Sequence, residues 1–270
     1  MRMILPLKKM LPAILILVAV MCTNAQDNTI WNNKKCAVVL TYDDALDVHL
    51  DNVIPVLNSY NMKGTFYIIG SEGIVERRMD DWRKAADMGH ELGNHTLFHP
   101  CDGRPQGRSF VTPDNDLQYY TLNRTVNEIL VTNTLLKAID GKDKRSFAYP
   151  CGDMKVGDSL YFNRLRNDLT GARGVRAAMN TIDKVNTDNI DSYMISGHPA
   201  AYMIDLVKEA VKTESLLVFL FHGVGGGHNI DVALEEHNEL IKYLVDNEKD
   251  IWIPTMVEAA EYIHNYRSEK

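Results

Sequence analysis

Two adjacent carboxylates, Asp43 and Asp44, end the apolar run Ala37-Val38-Val39-Leu40 and precede the small residue Ala45. Neighbouring carboxylates repel each other, so such a pair is at ease where a cation lies beside it. A bound metal would serve, with one carboxylate as ligand and its neighbour free to act as a base. The same two residues could instead end a strand and cap a helix beginning near Ala45. His95 and His99, four apart, lie on one side of a helical turn or tight loop, where they could grip one cation or stand as a satisfied polar pair. His222 follows a third apolar stretch, 216–221, and precedes Gly223-Val224-Gly225-Gly226-Gly227-His228. It reads as a third functional histidine or as a buried one ahead of a flexible loop; the Lys of a phosphate-binding loop is missing. One carboxylate with two imidazoles leaves room for water, as hydrolytic metal sites do.

The elements that must position these groups alternate. A strand ending at Asp43 leads to a helical pattern over 46–60, with a kink or break expected at Pro55. A β-branched and aromatic strand follows between Gly64 and Gly70, then a short helix over 79–88. Residues 100–116, rich in Pro, Gly, Asp and Arg, predict a long loop. A helix is expected over 117–139, stopped by Asp140-Gly141. After it come a strand at 146–150, a helix near 158–168, a strand near 174–178 and a polar loop over 180–191. A helix over 200–212, the strand 216–221, a helix over 232–247, a strand at 251–253 and a helix from Met256 complete the chain. Strand and helix in turn argue for parallel strands with crossover helices. Six or seven such units without an intervening linker predict a single barrel-like α/β domain, whose strand ends share one face.

Composition is ordinary for a globular protein, 45% hydrophobic and 24% charged over 270 residues. Arg2, Lys8 and Lys9 precede an apolar run and the small residues ending at Ala25, which reads as a secretory signal peptide, residues 1–25, ahead of a domain over 26–270. Lipid attachment at Cys22 is the alternative, disfavoured by Met21 before it. The apolar run is too short for a membrane span. Without residues 1–25, 26 basic residues face 36 acids, a balance of −10. Such an acidic chain is unsuited to nucleic acid and to strongly anionic polymers, whereas neutral glycans remain open. Cys36, Cys101 and Cys151 would survive cleavage, an odd count compatible with one pair and a buried thiol or with three thiols.

The stretches Thr41-Tyr42-Asp43-Asp44-Ala45, His95-Thr96-Leu97-Phe98-His99 and Leu220-Phe221-His222 stand in the order and rough spacing of three motifs of the polysaccharide deacetylase family, also called carbohydrate esterase family four. The chain resembles that family over about residues 34–260. The resemblance implies a distorted (β/α) barrel of six to seven parallel strands. It also implies a divalent metal, usually zinc, with cobalt or nickel as alternatives, held by Asp44, His95 and His99. Asp43 matches the general base and His222 the general acid. Ala148-Tyr149-Pro150-Cys151-Gly152 matches the family's Arg-x-Pro-x-Gly motif, which puts the Cys151 N–H at the oxyanion position and replaces the motif's Arg by Ala148. Arg173 is expected to reach Asp43 from the side in its stead; a plain surface Arg is the alternative. The acid supporting the catalytic histidine is assigned to Asp183 ahead of Asp188 and Asp191. Tyr149, with Phe98, Phe110, Tyr119 and Tyr120 as further candidates, is expected to line a sugar groove. Cys101 and Cys151, each just past a motif, are expected either to form a disulfide across the rim or to remain two buried thiols.

The function so implied is that of an exported, metal-dependent deacetylase removing N-acetyl or O-acetyl groups from a polysaccharide or oligosaccharide. Hydrolysis of a small non-sugar amide and silent glycan binding on the same fold are the alternatives.

Overall fold

The computed structural model describes residues 29–270; the expected signal peptide and Cys22 lie outside them. Strand β1, Cys36–Asp43, is buried throughout and is the axis of the sheet. It runs parallel to β2, Thr65–Ile68, on one side, with Asp43 opposite Tyr67. From there the sheet continues in parallel through β3, Glu91–Asn94, β4, Phe147–Ala148, and β5, Ala172–Arg173. On the other side of β1 lies β7, Ser215–Phe221, which also pairs β6, Tyr193–Met194. The ring closes where Arg173 bridges Ile190, just ahead of β6. Seven parallel strands therefore form a (β/α) barrel, distorted because one seam is a bridge with a few flanking backbone hydrogen bonds and not a strand pair. A further strand, Ile251–Trp252, pairs the start of β1.

Both faces of β1 are covered, which is why its sequence reads as a continuous apolar run rather than an alternation. Val38, Leu40 and Tyr42 point outward against helix residues such as Val53, Trp82, Val207 and Leu240. Ala37 and Val39 point into the barrel with Tyr67, Ala148 and Val218. By the same period of two, Asp43 ends β1 facing inward.

The expected kink at Pro55 is resolved by a π-helical turn, His49–Val53, which hands over to the α-helix Ile54–Ser59 with Pro55 in its first turn. Proline has no N–H to give, so the wider turn absorbs the missing bond. The helix Leu122–Asp140 is capped by Thr121 and ended by Gly141 in the left-handed region, at φ 71°. It begins later than the sequence suggests, because residues Leu117–Tyr119 form a separate 3-10 turn capped by Asp116. No helix forms over 158–168. Gly157, at φ 55°, turns the chain into a hairpin, and a 3-10 turn follows at Tyr161–Arg164. Tyr161, Phe162 and Leu165 pack there on Phe147 and Tyr149. The strand expected near 174–178 lies earlier, at β5, and the expected loop over 180–191 carries a short edge strand, Asn180–Thr181, antiparallel to β7. Among the described residues no helix is long and apolar enough to cross a membrane.

Three imidazoles are buried neutral. Burial lowers His49, His90 and His237 each to about 4; the Tyr42 hydroxyl lies 2.9 Å from His237 Nε2. An unfolded histidine binds its proton near pH 6.5. Between pH 6.5 and 4 the unfolded chain thus holds more protons than the folded one, and stability present above that window is lost as the pH falls through it. Each histidine contributes a slope of about 1.4 kcal/mol per pH unit. Urea midpoints measured from pH 7 to 4.5 should fall steadily; a flat profile would contradict the neutral assignment.

Candidate active site

The strand ends place the carboxylates and imidazoles together. Asp43 and Arg173 are both buried, and Arg173 Nη2 donates to Asp43 Oδ2 at 2.5 Å. The Arg173 guanidinium also lies 5.1 Å from the Tyr67 ring centroid and gives Nη1 to the Gly174 carbonyl. Asp43 Oδ1 is buried with no hydrogen-bond partner. The chain turns sharply after it, with Asp44 at φ 79° and Ala45 at φ 53°. That strained turn, of a kind found at functional sites, aims the Asp44 carboxylate across the barrel mouth.

Asp44 Oδ1 lies 3.5 Å from His95 Nε2 and 3.7 Å from His99 Nε2, and it too is buried without a hydrogen-bond partner. Its other oxygen is 3.8 Å from His222 Nε2. Burial would raise the Asp44 pKa, but the neighbouring imidazoles of His95, His99 and His222 outweigh it and hold the carboxyl well below its usual range. His95 Nδ1 is 2.8 Å from the Ala148 carbonyl, which can only accept, so Nδ1 carries the proton and Nε2 offers a lone pair. His99 is held by a tight loop in which Asn94 Oδ1 accepts from Thr96 N–H and Thr96 Oγ1 accepts from His99 N–H. Burial lowers His99 to about 4, so its imidazole is neutral at ordinary pH. The Nε2 atoms of two neighbouring imidazoles and an unsatisfied carboxylate oxygen, with ligand atoms of the three residues within 4.8 Å of one another, suit a divalent cation.

His222, just past β7, is held by its backbone: His49 Nδ1 accepts the Leu46 N–H, so Nε2–H donates to the His222 carbonyl at 2.8 Å. Burial lowers the His222 pKa, with Asp43 and Asp44 opposing the shift. Of the two arrangements left open for Cys101 and Cys151, the structure has the disulfide, which ties the His99 loop to the turn Pro150–Gly152, where Cys151 sits at φ 54°. Arg108 reinforces the same junction through Asp153 and the Cys151 carbonyl.

Several sequence expectations are corrected. Tyr149 is buried among Phe147, Tyr161 and Phe162, and its hydroxyl donates to the Asp188 carbonyl, so its ring belongs to the core and not to a groove. Arg173 does reach Asp43 as expected and is fully buried, so it is neither a surface arginine nor able to touch substrate. Asp183 is exposed and paired with Lys270, Asp188 pairs Arg166, and Asp191 pairs Arg176. His222 Nδ1 is buried without a partner, so no described acid supports it. Phe98 and Phe110 are exposed beside a groove of about 610 Å³ that borders Asp44, His99, Asn115 and His228. Tyr120 is buried under the Arg124 guanidinium, and Tyr119 lies outside the groove. Sequence reasoning missed His49 and His228. The Gly-rich return after His222 was the only hint of the latter.

Residues 31–165, half of the chain, match the sequence profile of a family described as polysaccharide deacetylase. A peptidoglycan-N-acetylglucosamine deacetylase of Bacillus cereus is 34% identical over 122 residues, which make up 45% of this chain and 38% of that protein. The chain thus spans well under half the length of that relative. Among solved structures, the peptidoglycan deacetylase PdaC of Bacillus subtilis superposes with a TM-score of 0.53 at 18% identity, over 87% of this chain and 94% of that one. A mutant with restored enzymatic activity of a carbohydrate esterase family four pseudoenzyme gives 0.52 at 16% identity, over 84% and 68%. At such identities the likeness is one of fold.

Proposed function

The chain belongs to the polysaccharide deacetylase family, and on that premise we propose that it is an exported, metal-dependent enzyme removing acetyl groups from a glycan. The observation that carries this reading is the unsatisfied, buried Asp44 Oδ1 facing the Nε2 atoms of His95 and His99. These three residues would hold a divalent metal, zinc by preference, with cobalt or nickel as substitutes. When bound, the metal polarises the acetyl carbonyl and lowers the pKa of water.

The remaining chemistry belongs to side chains of this protein. Arg173 occupies Asp43 Oδ2, which leaves Oδ1 as the oxygen that takes a proton from the attacking water. His222 gives a proton to the departing amine or alkoxide as the acyl bond breaks and acetate is released. The Cys151 N–H, at the turn pinned by the disulfide, is the proposed donor to the carbonyl oxygen as it gains charge. Export is supported by the signal-like N-terminal sequence and by the Cys101–Cys151 disulfide, which an oxidising compartment permits. The Bacillus cereus relative carries N-acetylglucosamine in its name, which makes an N-acetylated oligomer the first substrate to try.

Acetate release should be followed on chitin oligomers, peptidoglycan, acetylated xylan and an aryl acetate, after chelation and after adding back zinc, cobalt or nickel. We expect release from at least one glycan, lost on chelation and restored by metal. Tight binding of one metal ion without release from any of the four would favour a silent glycan-binding protein or an amide substrate outside the panel.

A further inference from the structure

His228 has no counterpart among the groups assigned above, yet it stands at the same carboxylate. The chain leaves His222 through Gly223–Val224, which pairs Asp231–Val232 in a short parallel ladder. Between the two halves lies a closed loop. Its glycines Gly225, Gly226 and Gly227 have φ of 70°, 109° and 87°, and the Gly226 N–H is tied to Asp231 Oδ1. At 109°, Gly226 is in a region that side chains rarely enter. This return lays the His228 ring on that of His222, with centroids 4.8 Å apart and planes 16° from parallel. The His228 side chain is 33% exposed and lines the groove; the His222 side chain, 13% exposed, lies one ring behind it.

The tautomer of His228 decides what it can do. Its Nδ1 accepts the Ile230 N–H at 3.0 Å, so in the neutral ring the proton is on Nε2. That Nε2–H lies 4.0 Å from Asp44 Oδ2, beyond hydrogen-bond reach, on the groove side of the site. His95 has the opposite arrangement, with Nδ1–H given to a carbonyl and a bare Nε2. One ring therefore presents a ligand atom and the other a donor. Using His228 Nε2 as a metal ligand would require a proton on Nδ1 and would break the bond from Ile230.

We propose that His228 is a substrate-binding residue whose Nε2–H donates to a hydroxyl or ether oxygen of the glycan next to the acetylated position, while the acetyl group lies over His222. The inference rests on the glycan-deacetylase reading and assigns a specificity contact within it. An aryl acetate lacks that oxygen, so the contact should distinguish glycans from small esters.

The test uses the zinc-loaded protein and two oligosaccharides that cannot be turned over, glucosamine tetramer and unacetylated xylotetraose, titrated calorimetrically. The wild type should bind at least one. His228→Phe, which keeps a ring against His222 but has no donor, and His228→Ala should weaken that binding by about three- to tenfold, the worth of one neutral hydrogen bond. His228→Gln, whose amide N–H can replace Nε2–H, should recover most of it. Zinc affinity, read by competition with a chromophoric chelator, should be the same in all four proteins. Equal glycan binding by the wild type and His228→Phe would overturn the proposal, as would a Gln variant as weak as Phe or a wild type that binds neither sugar. A tenfold loss of zinc affinity in His228→Ala would make it a metal ligand instead. Failure of the deacetylase reading shows separately, as absence of acetate release from a protein whose sugar binding still depends on His228.

Discussion

Arg173→Ala should lower kcat/KM for acetate release by about 10²-fold or more, the lower range for loss of a working general base. Arg173 and Asp43 are both buried and joined through Asp43 Oδ2. Without the guanidinium both oxygens of the proposed base are unpaired, and nothing holds Oδ1 toward the site. The same substitution should cost about 3–5 kcal/mol of stability, because it strands a buried charge. Arg173→Lys keeps the charge but not the planar fork. It should regain more stability than activity, and that split separates a positioning role from a purely structural one. Kinetics with urea unfolding of the three proteins decides the matter. Wild-type turnover in a folded Arg173→Ala protein would remove Arg173 from the mechanism.

Cutting the Cys101–Cys151 bridge should be the other large perturbation. The cysteines are 50 residues apart, and closing a loop of that size is worth about 4 kcal/mol in the chain-entropy account. Cys101→Ser with Cys151→Ser should therefore lower the urea midpoint markedly. It should also weaken zinc binding, since Cys101 lies two residues from His99 and its Sγ is 3.7 Å from His99 Nδ1. The Arg108–Asp153 ion pair and the Arg108 bond to the Cys151 carbonyl keep the two loops near each other, so the barrel should still fold. Thiol titration of the denatured, unreduced chain 26–270 should find Cys36 alone. In the native state Cys36 should resist alkylation, because burial pushes its thiol up to about 12. A midpoint unchanged by the double substitution would show that the junction is held by Arg108 and not by the bridge.

What could be read from the sequence was what is local or repeated. The apolar run into Asp43-Asp44, the His95–His99 spacing and the strand before His222 each carry their position in their own neighbours. What failed depended on parity or on distant partners. Tyr149 was placed in a groove, yet with Phe147 it lies on the outer face of its strand, and only Ala148 between them faces the barrel. The helix expected over 158–168 lost to Gly157 and to aromatic packing. Asp183, the acid expected behind the catalytic histidine, pairs with Lys270 at the surface. His228 returns to the site only because the glycine loop is closed by a ladder that no local pattern reveals.

Ala148 and Arg173 are direct partners across β4 and β5. Ala148 is the position at which the family motif would have its arginine. The two positions lie side by side on adjoining strands, and in this chain the guanidinium beside Asp43 comes from the neighbouring one. Moving the arginine back, Ala148→Arg together with Arg173→Ala, would exchange the donor strand while leaving the charge at the same point beside Asp43. A motif scored letter by letter records a loss at 148, whereas the Asp43 carboxylate still has a guanidinium beside it. Whether such a barrel has kept its chemistry is therefore a question about occupied positions in space, to be asked of both strands at once.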